Sequence, residues 1–130
     1  MNDDALTHGA FSWNELMTTD PAAAAKFYTE LFGWETEDFP MGDMNYTVLK
    51  VDGKPVGGIM PTPDECQGMP PMWSIYLTTK DVDATAQQVT ELGGQILRPP
   101  MDIPDVGRFC VLQDPTGAVI CAITYAPKAD

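Results

Sequence analysis

A chain of 130 residues with 44% hydrophobic side chains is one domain long and can bury a core without disulfides or a structural metal. Its 19 acidic and 7 basic residues leave a net charge of −12, which sets it against nucleic acid and anionic membrane surfaces as partners. Cys66, Cys110 and Cys121 are odd in number and have no short metal-type spacing, so they read as reduced thiols. The opening "MNDDALTHGA" lacks the basic and apolar regions of a signal peptide, and no apolar run reaches the ~20 residues of a membrane span. A cytoplasmic protein is expected.

Strand-type alternation from Phe11 to Thr18 gives way to Asp20-Pro21, an N-cap and first-turn signal for a helix reaching about Phe32. Ala24, Phe27, Tyr28 and Leu31 recur at helical spacing and predict a buried stripe; Gly33 suits the left-handed residue that ends it. Three strands should follow, Trp34 to Phe39, Asn45 to Val51 and Pro55 to Met60, the last two joined by an Asp52-Gly53 turn. The proline-rich stretch from Pro61 to Pro71 reads as a linker.

The second half repeats this order. A strand from Trp73 to Thr79 precedes a helix capped by Asp81, with Val82, Ala86, Val89 and Leu92 as its stripe. Strands near Gln95 to Arg98, Gly107 to Gln113 and Val119 to Tyr125 complete it. At an offset of 61 residues, Leu16 matches Leu77, Thr18 matches Thr79, Asp20 matches Asp81, Thr29-Glu30-Leu31 matches Thr90-Glu91-Leu92, and Gly33 matches Gly94. The expectation is an α+β chain of two tandem βαβββ units, about 9–60 and 72–126, within a single domain spanning residues 1–130. Neither unit hides both faces of its strands alone, so the two should pair.

The repeat, with "TTD…FYTELFGW" in one half and "DPTGAVI" in the other, resembles the vicinal oxygen chelate superfamily of glyoxalase I, extradiol dioxygenases and bleomycin-resistance proteins. "WNELMTTD", "NYTVLKVDGKPVGG" and "DIPDVGRFCVLQDPTGA" are similar to one half of the mycobacterial 27 kDa antigen group of glyoxalase-like proteins. The resemblance implies a cupped eight-stranded mixed sheet with its helices on the outer face, a pocket inside, and a homodimer. It also implies metal ligands on the first and last strand of each unit. Those positions carry Trp13 and Ser74 on the first strands, Cys121 on the last strand of unit two and Gly57 as its partner in unit one. A lone thiol cannot hold zinc or iron, which take about three side-chain ligands, so no metal and no other cofactor is expected. His8, the single histidine, reads as a solvated terminal side chain.

If Trp13 faces the cup, alternation brings Glu15 and Met17 with it and turns Leu16 towards helix and core. Ser74, Tyr76 and Thr78 form the matching row, and Met60, Cys121 and Ile123 line the floor. An indole, a phenol, thioethers and a few polar groups suit a small, flat, partly apolar molecule. Trp13 and Tyr76 are equally at home in a core, and Met17, Met60 and Cys121 more often fill one than touch a ligand. Glu15 is the exception: a carboxylate on an apolar inward row is costly unless paired, hydrated or touching a ligand, the alternative being a shifted register that leaves it exposed. Arg108 is either its partner or a surface charge. Three functional readings stand: a metal-independent binder of a small aromatic or amphipathic molecule, a glyoxalase- or lyase-type enzyme using Glu15 as general base or a metal through other ligands, and a protein-interaction module whose cup is filled by its own side chains.

Overall fold

The computed structural model describes residues 3–41, 43–66 and 68–126. Eight strands and two α-helices follow the expected βαβββ-βαβββ order, an α+β architecture with mixed parallel and antiparallel pairing. They are β1 (Phe11–Thr18), α1 (Pro21–Phe32), β2 (Glu35–Met41), β3 (Met44–Val51) and β4 (Lys54–Pro61), then β5 (Met72–Thr78), α2 (Val82–Glu91), β6 (Gln95–Ile103), β7 (Gly107–Gln113) and β8 (Val119–Tyr125). The strands run β2-β3-β4-β1 in the first half and β5-β8-β7-β6 in the second. Two compact units result: one spans Trp13–Ser74, and the other joins the residues up to Ser12 to those from Ile75 onward. The first residues of β1 group with unit two and the first residues of β5 with unit one.

Local chemistry sets both helices. Asp20 caps α1 by accepting from the Ala23 amide at 3.1 Å, Pro21 occupies the first turn, and Gly33 closes it in the left-handed region, φ 74°, where a side chain would be strained. Asp81 caps α2 through the amides of Asp83 and Ala84. Its left-handed terminator is Gly93 and not Gly94, the residue that matches Gly33 by offset; Gly94 instead donates its amide back to the Val89 carbonyl.

β6 runs five residues past the expected end at Arg98. Prolines 99 and 100 cannot donate to the ladder, and two register irregularities between Ile96 and Met101 accommodate them. The linker holds a 3-10 turn at Asp64–Cys66.

In unit one Leu16, Leu49 and Ile59 are buried together, with Ala24, Ala25, Tyr28 and Trp34 packed against them. In unit two Val82, Cys110 and Ala122 form the core, joined by Ala86, Ile96 and Leu112. The predicted helical stripes are only half right. Phe27, Leu31 and Leu92 are exposed, since α1 lies on its sheet through Ala24, Ala25 and Tyr28, and α2 through Val82 and Ala86. Ala24, Ala25 and Ala86 let each helix come close to its sheet, and Phe27 and Leu31 lie on the side of α1 turned away. No helix among the described residues is long and apolar enough to cross a membrane.

Candidate functional site

Leu16 and Ile59 point to the helix side of unit one, so their neighbours along each strand point to the other. Parallel pairing sets Glu15 opposite Gly58 and Met17 opposite Met60. Trp13, Glu15, Met17 and Met60 therefore share the face away from α1, as the alternation predicted. Glu15 is 8% exposed and is the buried carboxylate of this face.

Tyr46 completes the group, and nothing in the sequence singled it out. Its phenol oxygen accepts the Trp13 indole N–H at 2.8 Å, and its ring lies directly over Gly58, where an added Cβ would come within 2.1 Å of it. Glycine at 58 is what leaves room for the ring and its hydroxyl. The neighbouring Gly57 is tight for a different reason, the close approach of the Asn14 carbonyl, 2.6 Å from where its Cβ would stand. The signal available in the sequence was the pairing of Gly57-Gly58 with an aromatic on the preceding strand.

In unit two Ala122 is in the core, which turns Cys121 and Ile123 to the face away from α2. Tyr76 pairs with Cys121, and Thr78 with Ile123. The Tyr76 ring lies 6.1 Å from that of Phe109, a further residue that the sequence reading missed. Thr78 is not a free contact group, because its hydroxyl donates to the Ala5 carbonyl in the N-terminal 3-10 turn. Ser74 lies earlier on β5, partly exposed, among the residues of unit one.

Tyr125 donates its phenol to Ser12 Oγ at 2.7 Å, and Ser12 donates on to the Tyr76 carbonyl. Burial pushes the Tyr125 phenol above its usual pKa, partly offset by the bond to Ser12. His8 is exposed, and its Nδ1 accepts the Lys80 amide at 3.1 Å.

Of the two alternatives for Arg108 the surface charge holds, and the assignment of Gly57 is corrected. Arg108 directs its guanidinium to Asp83, at 3.0 Å, and to Asp102, at 3.2 Å, and so acts as a clamp between β7, α2 and β6. The strand register makes Gly58, not Gly57, the counterpart of Cys121: Glu15 opposes Gly58 as Tyr76 opposes Cys121.

The donor set at the positions that the resemblance gives to metal ligands does not fit a metal. Trp13 offers an N–H already donated to Tyr46, Gly58 offers no side chain, Ser74 a neutral hydroxyl and Cys121 a single thiol. Among the described residues no three His, Cys, Asp or Glu side chains are grouped to hold an ion. A depression of about 480 Å³ lies elsewhere in unit two, between Gly93-Gly94 and the Asp114 to Gly117 turn. Asp114 is occupied there in holding its own turn, through the Thr116 and Ala118 amides and the Thr116 hydroxyl.

Residues 10–122 match the family described as Glyoxalase/Bleomycin resistance protein/Dioxygenase superfamily. The chain is 44% identical over 115 residues to "Putative glyoxylase CFP32" of Mycobacterium tuberculosis, covering 86% of this chain and 44% of that protein. It is 38% identical over 123 residues to "Anthracycline biosynthesis protein DauV" of a Streptomyces species, covering 85% of this chain and 45% of the relative. The chain thus spans less than half the length of these two relatives. Methylmalonyl-CoA epimerase from Mycobacterium tuberculosis shares the fold at a TM-score of 0.67, with 17% identity, covering 98% of this chain and 94% of the other.

Proposed function

The chain belongs to the glyoxalase/bleomycin resistance protein/dioxygenase superfamily, and from that premise we propose that it binds a small, flat aromatic or amphipathic molecule without a metal. One observation carries the reading. The sheet face of unit one away from α1 presents the Trp13 indole, pinned by Tyr46, beside the buried Glu15 carboxylate and the thioethers of Met17 and Met60. A fixed indole offers a stacking surface at low entropic cost, thioethers adapt to an irregular apolar outline, and one carboxylate supplies directional recognition. Tyr76, Cys121, Ile123 and Phe109 give unit two a face of similar character. The 38% identity to a protein named for anthracycline biosynthesis supports a planar polycyclic ligand class.

A second reading rests on Glu15 alone. A buried carboxylate next to an aromatic platform can abstract a proton from a bound carbon acid, which would make the protein a metal-free lyase or isomerase. Native mass spectrometry tests the first reading. Purified protein mixed with a planar aromatic amphiphile such as an anthracycline should show a stoichiometric mass adduct, with quenching of tryptophan emission that Trp13→Phe reduces. About one tightly held zinc, iron, nickel or manganese per chain, or no adduct at millimolar ligand, would overturn it.

A further inference from the structure

We infer that the sheet face of unit two turned away from α2 takes the anionic end of a ligand, and that Arg98 is the residue that selects it. This rests on the reading that these sheet faces bind a small aromatic or amphipathic molecule, and it names the charge of the molecule for one of them.

Backbone pairing places Arg98. It lies opposite Val111, Val111 lies opposite Cys121, and Cys121 lies opposite Tyr76. Residues paired directly across strands point to one side of the sheet, and Cys110 and Leu112, the neighbours of Val111, pack on the α2 side. The row Tyr76, Cys121, Val111, Arg98 therefore crosses the face away from α2. A second row, Thr78, Ile123, Phe109 and Met101, runs beside it. The register irregularity between Ile96 and Arg98 is what aims the arginine here. Ile96 pairs with Leu112 on the α2 side, and unbroken alternation would send Arg98 the same way.

Charge makes the face specific. In a chain of net charge −12, these two rows hold one guanidinium and no carboxylate. Asp102, on the same strand as Arg98, pairs with Arg108 on the other side of the sheet, where Arg108 also holds Asp83. The corresponding row of unit one reads Glu15, Gly58, Val48, Glu37, with a carboxylate at each end. Arg98 stands 61 residues after Glu37, the repeat offset, and carries the opposite charge.

Arg98 is half-buried, and its Nη1 lies 3.7 Å from Met101 Sδ. A thioether is a weak, uncharged acceptor, so this contact orients the guanidinium and does not cancel its charge. The planar guanidinium presents paired N–H donors that match the two oxygens of a carboxylate. At about 4.8 Å per strand, the row from Arg98 to Tyr76 spans about 14 Å. Val111, Cys121 and the Phe109 ring floor it with apolar surface. The ligand class that fits is a carboxylate carried on a flat apolar body.

Isothermal titration calorimetry with naphthoate and its neutral amide, naphthamide, is the test. Salt at about 0.15 M screens repulsion from distant carboxylates beyond a Debye length of about 8 Å. Naphthoate should bind on the order of 10-fold more tightly than naphthamide. Arg98→Gln should abolish that difference and leave naphthamide binding unchanged. Arg108→Gln deletes the same charge on the other side of the sheet and should preserve the difference. Circular dichroism checks that both variants fold. Arg98→Lys, which keeps the charge and loses the fork, should retain part of the preference and serves if the Gln variant disturbs the strand. Naphthamide binding as tightly as naphthoate would overturn the inference and leave the ligand reading standing, and so would equal effects of the two Gln variants. If neither compound binds at millimolar concentration, both fall.

Discussion

Trp13 and Tyr46 are joined by a 2.8 Å hydrogen bond on the face of unit one away from its helix, and the Tyr46 ring occupies the space that any side chain at position 58 would need. Gly58→Ala should therefore displace Tyr46 and free the Trp13 indole. The expected cost is about 1 to 3 kcal/mol, the range for overpacking a fitted site, with a red shift of Trp13 emission. Tyr46→Phe keeps the ring and loses only the bond, so it should cost about 0.5 to 1.5 kcal/mol. Urea midpoints and emission spectra of the two variants check this order.

The helix caps give a second comparison. Asp81 accepts from two amides, Asp83 and Ala84, and Asp20 from one, Ala23. Asp81→Ala should cost about 1 to 2 kcal/mol and Asp20→Ala closer to 0.5 to 1. Equal losses in thermal melts would mean that the second amide contributes nothing.

The Arg108 clamp predicts a pH dependence. The hydrogen bond from Arg108, with its charge, holds the Asp83 carboxyl below the usual carboxylate range. A carboxylate whose folded pKa is depressed contributes stability above its unfolded value of about 4, and that contribution is lost as pH falls through the lower folded value. Both partners are exposed, so the effect is small. Arg108→Gln should lower the urea midpoint slightly at neutral pH, and the gap from the parent protein should close as the buffer is taken well below pH ~4.

The three thiols should separate by rate. Cys110 is fully buried and burial pushes its thiol up; Cys121 is also buried, whereas Cys66 is partly exposed in the linker turn. A disulfide reagent on native protein should modify Cys66 quickly and the other two only on the timescale of opening. Two fast thiols would place Cys121 on an accessible surface.

What could be read in the sequence was whatever local chemistry controls. Asp20-Pro21 and Asp81 mark their helices without tertiary help, and alternation through Leu16 put Trp13, Glu15 and Met17 on one face. The errors arose where a distant contact decides. Phe27 and Leu31 follow a helical stripe, but the alanines beside them set which side of α1 meets the sheet. Tyr46 is part of the site through Gly58 on the neighbouring strand, and Gly58 cannot be told from Gly57 by sequence because the pairing register is not written in either strand alone. Thr78 looked like a face residue until the N-terminal turn claimed its hydroxyl.

Glu15 separates the two functional readings. Its carboxylate is buried on the same face as Trp13, Met17 and Met60, directly opposite the glycine that seats Tyr46. Glu15→Gln preserves volume and the capacity to hydrogen-bond but removes the negative charge and the ability to take a proton. In a binding protein the substitution should change ligand affinity by about 1 to 3 kcal/mol, the range for a hydrogen bond to a charged group. In a metal-free enzyme it should leave binding largely intact while turnover falls by roughly 10² to 10⁴. Emission titrations would use Trp13, with Trp13→Phe separating its signal from those of Trp34 and Trp73. If Glu15→Gln alters neither affinity nor any turnover, the face that carries Trp13 and Glu15 is packing surface, and both readings fail together.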